Sequence, residues 1–122
     1  MTKLSRVLGW VSALLILSVG FIHVIDAKDS FSDATYKGWL FYANGVVSLI
    51  AAYGIYRQNS WAWNLGFIIA IFSLAGYIAS RTIGLPLIPA EPDNWFEPLG
   101  VAAMATEVLF VIIFYERKMK RQ

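Results

Sequence analysis

Residues 80–107 read SRTIGLPLIPAEPDNWFEPLGVAAMATE. The stretch opens beside an arginine, Arg81, at the end of one apolar run, and it finishes on a glutamate, Glu107, in the middle of the next. Between them stand all four prolines of the chain, at 86, 89, 92 and 98, together with Glu91, Asp93 and Glu97. Each proline fixes its own φ, so Gly84–Pro98 predicts a stiff segment suited to a lid or a docking surface rather than a slack linker. Pro98 also fits the first turn of a following helix, where its missing N–H leaves no bond unmade. A stiff polar loop joining two long apolar runs decides the fold class.

Four such runs are present: Leu4–Ile25, Trp39–Tyr56, Leu65–Ile83 and Leu99–Tyr115. Each is close to the roughly 17–25 residues that a helix needs to cross a bilayer. An open chain in lipid has to satisfy its backbone internally, which leaves the helix as the spanning form. Composition agrees, with 58% hydrophobic residues, 15% charged residues and a mean hydropathy of +0.59. Soluble domains carry about 25% charge, and a domain this small could not hide so much apolar surface from water. The expected fold is all-α: a four-helix transmembrane bundle, antiparallel and up-down, forming a single integral membrane domain over 1–122 with helices at about 4–25, 38–56, 64–83 and 98–116. Lys3 and Arg6 give the first run the look of a signal peptide. Its apolar core exceeds the usual ~7–15 residues, and no A-x-A cleavage pattern follows, so it is read as a helix.

Charge predicts orientation. Lys3, Arg6, Arg57, Arg117, Lys118, Lys120 and Arg121 fall on one side, against Lys28, Lys37 and Arg81 on the other. Asp26, Asp29, Asp33, Glu91, Asp93 and Glu97 all share the poorer side. The excess of basic residues predicts that the N and C termini are both cytoplasmic in a multi-pass protein of the cell (inner or plasma) membrane. The last basic cluster adds attraction to anionic lipid. Aromatics mark both interfaces: Tyr36, Trp39, Trp95 and Phe96 outside, and Trp10, Tyr56, Trp61, Trp63 and Tyr115 inside. The short Arg57–Asn64 link makes the second and third helices antiparallel neighbours. Asp26–Lys37 is expected to be a polar turn lying on the membrane, with Phe31 and Tyr36 dipping in. Gly66-x-x-x-Ala70 and Gly76-x-x-x-Ser80 give the third helix the spacing for close helix contact.

Several functions are excluded. The net charge of +2 comes with no basic face carrying stacking aromatics, so nucleic acid is not an expected partner. The absence of cysteine removes disulfides, thiolate metal sites and cysteine nucleophiles. There is no glycine-rich phosphate loop, and no nucleophile–base pair that the residues specify. No catalytic residue is assigned, and a non-catalytic role is favoured over an enzyme. One histidine cannot supply a bis-histidine haem. No cofactor is predicted, although a helix bundle in a membrane leaves room for bound lipid.

The candidate site lies among polar groups within the spans, which are expensive there and ask for a reason. Glu107 stands eight residues from either end of its run, so its Cα falls ~12 Å from both edges. It reads as a proton carrier, a cation ligand or an anchor for a buried partner; the plainer alternative is a neutral glutamate bonded to Ser73, Tyr77 or Asn44. His23 and Asp26, three apart, share a face near the outer end of the first helix. Such a pair can relay a proton or hold a metal, and if the chain binds any metal, these two are its candidate ligands. Asn44 and Ser48 form one polar stripe, and Ser73, Tyr77 and Arg81 form another. On a shared interior face they make a pocket open to the outside beneath the proline loop; otherwise they are ordinary interhelical hydrogen bonds. Arg81 is expected to pair with Asp26 or Glu97 and so tie the third helix to the loops; the alternative is that it snorkels to the outer interface.

Gly20-x-x-His23, Asn44-Gly45, Ser80-Arg81-Thr82-x-Gly84-Leu85-Pro86, Glu97-Pro98-Leu99-Gly100 and Glu107 occur in this order across nearly the whole chain. In that order of motifs the chain resembles a group of small four-helix membrane proteins of bacteria and archaea. The resemblance implies the fold and implies that His23, Asn44, Arg81, Glu97 and Glu107 act as a set; the group brings no activity to transfer. The first functional expectation is a non-catalytic binding or accessory subunit, set among membrane lipid as a homo-oligomer or with other membrane subunits, its polar pocket facing outward. A second is a small transporter or channel-like protein for a proton, cation or small polar solute, with Glu107 as carrier and His23, Asp26 and Arg81 as outer gate. A third is a metal-dependent membrane redox component.

Overall fold

The computed structural model describes residues 3–120 and consists of α1 (Lys3–Asp33), α2 (Thr35–Tyr56), α3 (Ser60–Thr82) and α4 (Pro98–Lys120). Arg121 of the basic flank lies outside the described residues. All four helices are long and apolar enough to cross a membrane. Each packs on the next, and α4 returns to α1, so the bundle closes on itself.

The largest departure from expectation is at the end of α1. Asp26–Lys37, expected to be a surface turn, is helix except at the single extended residue Ala34: α1 runs on to Asp33 and α2 begins at Thr35. Nothing in DAKDSFSD breaks a helix, since it lacks both proline and glycine. Its polarity marks where the apolar run ends, not where the helix ends. At 31 residues, α1 is about 46 Å long, well beyond the ~30 Å hydrocarbon layer. Phe31 packs on α2, where a Cβ on Gly38 would come within 2.2 Å of its ring. Tyr36 donates to the Pro86 carbonyl at 2.6 Å. Both aromatics are thus engaged by the chain's own elements.

The α2–α3 link is also tighter than expected. Asn59 N–H bonds to the Gly54 carbonyl and Gln58 N–H to that of Ile55, both at 2.9 Å. That pattern is a Schellman close, and Gln58 occupies its left-handed position at φ 63°. The α3–α4 loop opens with Gly84 at φ 85°, followed by a tight turn in which Leu85 and Ile88 exchange both backbone bonds. Pro86 and Leu87 (φ 64°) fill the central positions, as a type II turn requires.

The apolar core sits toward the end that carries both termini. It gathers Ile16 of α1, Ala51 and Ile55 of α2, Trp63 and Ala70 of α3, and Phe110 and Phe114 of α4. Trp63, expected in the inner aromatic belt, is buried there and stacked on Phe110 with ring centroids 5.9 Å apart. The Arg117 guanidinium covers its ring at 4.5 Å. The small residues of α3 divide into two sets. A Cβ on Gly66 would lie 2.6 Å from Phe110, so this glycine admits its neighbour; a Cβ on Gly76 would meet nothing within 4 Å. Gly66–Ala70 is thus used inside the chain, whereas Gly76 faces outward.

Candidate functional site

The predicted site residues separate into three groups. The first joins three helices through side chains. Ser48 on α2 donates to Asn44 Oδ1 one turn away at 3.1 Å, and Asn44 Nδ2 donates across to Ser73 Oγ on α3 at 2.8 Å. Ser73 in turn hydrogen-bonds the Glu107 carboxyl of α4. Helical spacing explains why the contacts converge. Asn44 and Ser48 share a face at i,i+4, and the buried side of α4 runs Ala103, Glu107, Phe110 and Phe114. Glu107 therefore points inward on the stripe that supplies the core, and only 1% of it is exposed. Its Oε2 has no hydrogen-bond partner among the described residues. A buried carboxyl with one unmet oxygen has capacity for a proton, a water or a cation.

The second group clasps the proline loop to α3. Tyr77, one turn beyond Ser73, donates to the Trp95 carbonyl and meets the Trp95 ring edge-on at 5.9 Å. Arg81, one turn further, lies over the Tyr77 ring at 3.9 Å. Its Nε donates to the Asn94 carbonyl at 3.0 Å, and a terminal nitrogen donates to Ser80 Oγ at 2.7 Å. The expected ion pair with Asp26 or Glu97 is not formed. The Asn94 carbonyl of the loop and the Ser80 hydroxyl take the guanidinium, and Glu97 is engaged elsewhere. Its two oxygens accept the N–H groups of Leu99 (3.1 Å) and Gly100 (2.7 Å). These are orphan donors of the first turn of α4, so Glu97 is that helix's N-cap, with Pro98 at the first helical position.

The third group is His23 with Asp26. The Nδ1–H of His23 donates to the Val19 carbonyl at 2.8 Å in the tautomer that geometry requires, and its ring packs against Phe41 at 4.8 Å. That leaves Nε2 as the atom with coordinating capacity. Asp26 stands within electrostatic reach of Glu97, Lys37, Asp29 and Asp33; the nearby Lys37 closes an ion pair with Asp33 at 2.7 Å. Among the described residues no three histidine or acidic side chains gather as a metal site would need.

Glu107 and Asn44 are therefore brought together, Tyr77 and Arg81 form a neighbouring clasp, Glu97 caps a helix, and His23 with Asp26 lies on the α1–α2 side. Asn94, Trp95 and Ser80 were not singled out as partners of this clasp. They contribute backbone carbonyls and a hydroxyl, which residue type alone does not mark. No protein-family model, curated protein or solved structure matches the chain.

Proposed function

We propose that the chain is a non-catalytic integral membrane protein of the cell membrane, with both termini cytoplasmic, that serves as a binding or accessory subunit alongside another copy or a larger membrane partner. The observation that carries this reading is the use of the polar side chains within the bundle. Ser48, Asn44, Ser73 and Glu107 bond to one another across α2, α3 and α4, and Tyr77, Arg81 and Glu97 hold the loop and the start of α4. Such groups fix how helices are arranged. The open flank of Gly76 supports lateral association, because small residues allow close approach of a second helix. Purification in mild detergent tests it. The protein should elute with a second chain or as a multiple of its 13.7 kDa, and Gly76→Leu should release a single chain. Elution of the native protein as a lone chain, with no companion in nanodiscs made from native membranes, refutes the reading.

One observation favours a second reading, a proton or cation carrier: the buried, unpartnered Oε2 of Glu107. On this reading His23, Asp26 and Arg81 form the outer gate. Proteoliposomes discriminate the two. A proton or cation flux abolished by Glu107→Gln establishes the carrier, and no flux from either form leaves the subunit.

A further inference from the structure

The seam between α1 and α2 carries two neighbouring features that neither reading uses. At the end that holds the termini is an open surface depression of about 360 Å³ lined by Arg6, Trp10, Tyr56, Arg57 and Gln58. The first turns of α1 supply one wall, and the Schellman turn closing α2 supplies the other. Gln58, held at φ 63°, lays its amide against Gly9, where a Cβ would come 2.7 Å from Nε2. The turn thereby places the two guanidiniums around one space. No carboxylate lines that space, and neither arginine forms an ion pair among the described residues. Two exposed guanidiniums beside one space would attract an anion, and their planar forks suit phosphate. Trp10 and Tyr56, both about half exposed, are the aromatic types that sit at headgroup level.

Beyond this depression the same seam becomes an apolar groove of about 670 Å³ lined chiefly by Leu14, Leu17, Phe21, Gly45 and Leu49. Trp10, Leu14, Leu17 and Phe21 follow one another at steps of four, three and four, which keeps them on one face of α1. Gly45 lets α1 pack close at this level, since a Cβ there would come 2.3 Å from Val24 Cγ2. From Arg6 to Leu17 is eleven residues, or about 16 Å, close to the ~15 Å depth of one leaflet's hydrocarbon.

We propose that this seam binds one anionic phospholipid of the leaflet on the termini side, its phosphate between Arg6 and Arg57 and an acyl chain along Leu14, Leu17 and Leu49. A free phosphate would use only the basic end and a partner helix only the groove; a phospholipid matches both. The inference needs only that the chain lies in a membrane, and it stands whether the protein is a subunit or a carrier.

Native mass spectrometry tests it on the intact protein in detergent, titrated with phosphatidylglycerol or with phosphatidylcholine of the same chains. One phosphatidylglycerol should be retained with a preference of about tenfold or more, given the attraction of two arginines. Arg6→Gln with Arg57→Gln should bring that preference near unity, whereas Lys118→Gln with Lys120→Gln should leave it in place. Leu17→Trp, which fills the groove without changing charge, should lower retention severalfold. Circular dichroism and monodisperse elution confirm the fold of each variant. Equal retention of the two lipids by the native chain overturns the proposal. So does undiminished phosphatidylglycerol binding in the double arginine variant or in Leu17→Trp, or displacement of the lipid by excess inorganic phosphate.

Discussion

Around Trp63, at the end that carries the termini, the helices meet through rings and methyl groups. Around Ser73, nearer the proline loop, α2, α3 and α4 meet through hydrogen bonds. In water both regions would count as core, the first driven by hydrophobic burial. In lipid that drive is absent, because the surrounding tails are as apolar as the side chains, and close packing is what remains. Trp63 against Phe110, with Gly66 admitting the ring, is packing of this kind. It has little direction, since flat rings and methyls tolerate small rotations. The Ser48–Asn44–Ser73–Glu107 chain has direction, because each bond needs its donor and acceptor on facing sides. The apolar region thus contributes most of the cohesion, and the polar region selects one rotation of each helix.

That division can be broken by substitution. Gly66→Leu has the largest expected effect, as its side chain would displace Phe110 and press on Ile16; overpacking here should cost about 3 kcal/mol, read as a shift in detergent-unfolding midpoint. Next is Glu107→Ala, which opens a void and strands Ser73, at about 2 kcal/mol. Glu107→Gln keeps shape and hydrogen bonding and should stay within about 1 kcal/mol. Equal losses from Ala and Gln would mean that charge, not shape, holds this site. Glu97→Ala should cost about 1 kcal/mol by uncapping α4, with faster amide exchange confined to Leu99 and Gly100; Glu97→Asp should restore part of it. Asn44→Ala is the smallest, at about 0.6 kcal/mol, and a double-mutant cycle with Ser73→Ala should recover most of that as coupling. If Asn44→Ala were as damaging as Gly66→Leu, cohesion and selection would not be divided between the two ends.

Much of this was legible in the chain itself. Hydropathy and length place α2, α3 and α4 within a few residues of their ends, because immersion in lipid leaves a long apolar record. The same record misplaces the end of α1, since hydropathy reports where a helix leaves lipid and not where it stops being a helix. The Asn44, Ser73 and Glu107 grouping follows from depth and i,i+4 spacing. The Arg81 partners do not, because opposite charges suggest one another while backbone carbonyls carry no signature in residue type. Glu97 was legible in principle: an acid just before Pro-Leu-Gly, at the head of an apolar run, has the pattern of a helix start. Trp63 shows that a tryptophan near an interface by count can still turn inward when its helical face supplies the core.

The single residue between α1 and α2 has a consequence for how this chain tolerates change. With Ala34 alone as the joint, the two helices are geared together. One inserted residue that prolonged either helix would turn it by about 100° and carry Asn44 and Ser48 away from Ser73. The fourteen-residue span from Gly84 to Glu97 has no such gearing, because α4 is capped afresh at its own start. Length variation should therefore be admitted at the proline loop and refused at the elbow.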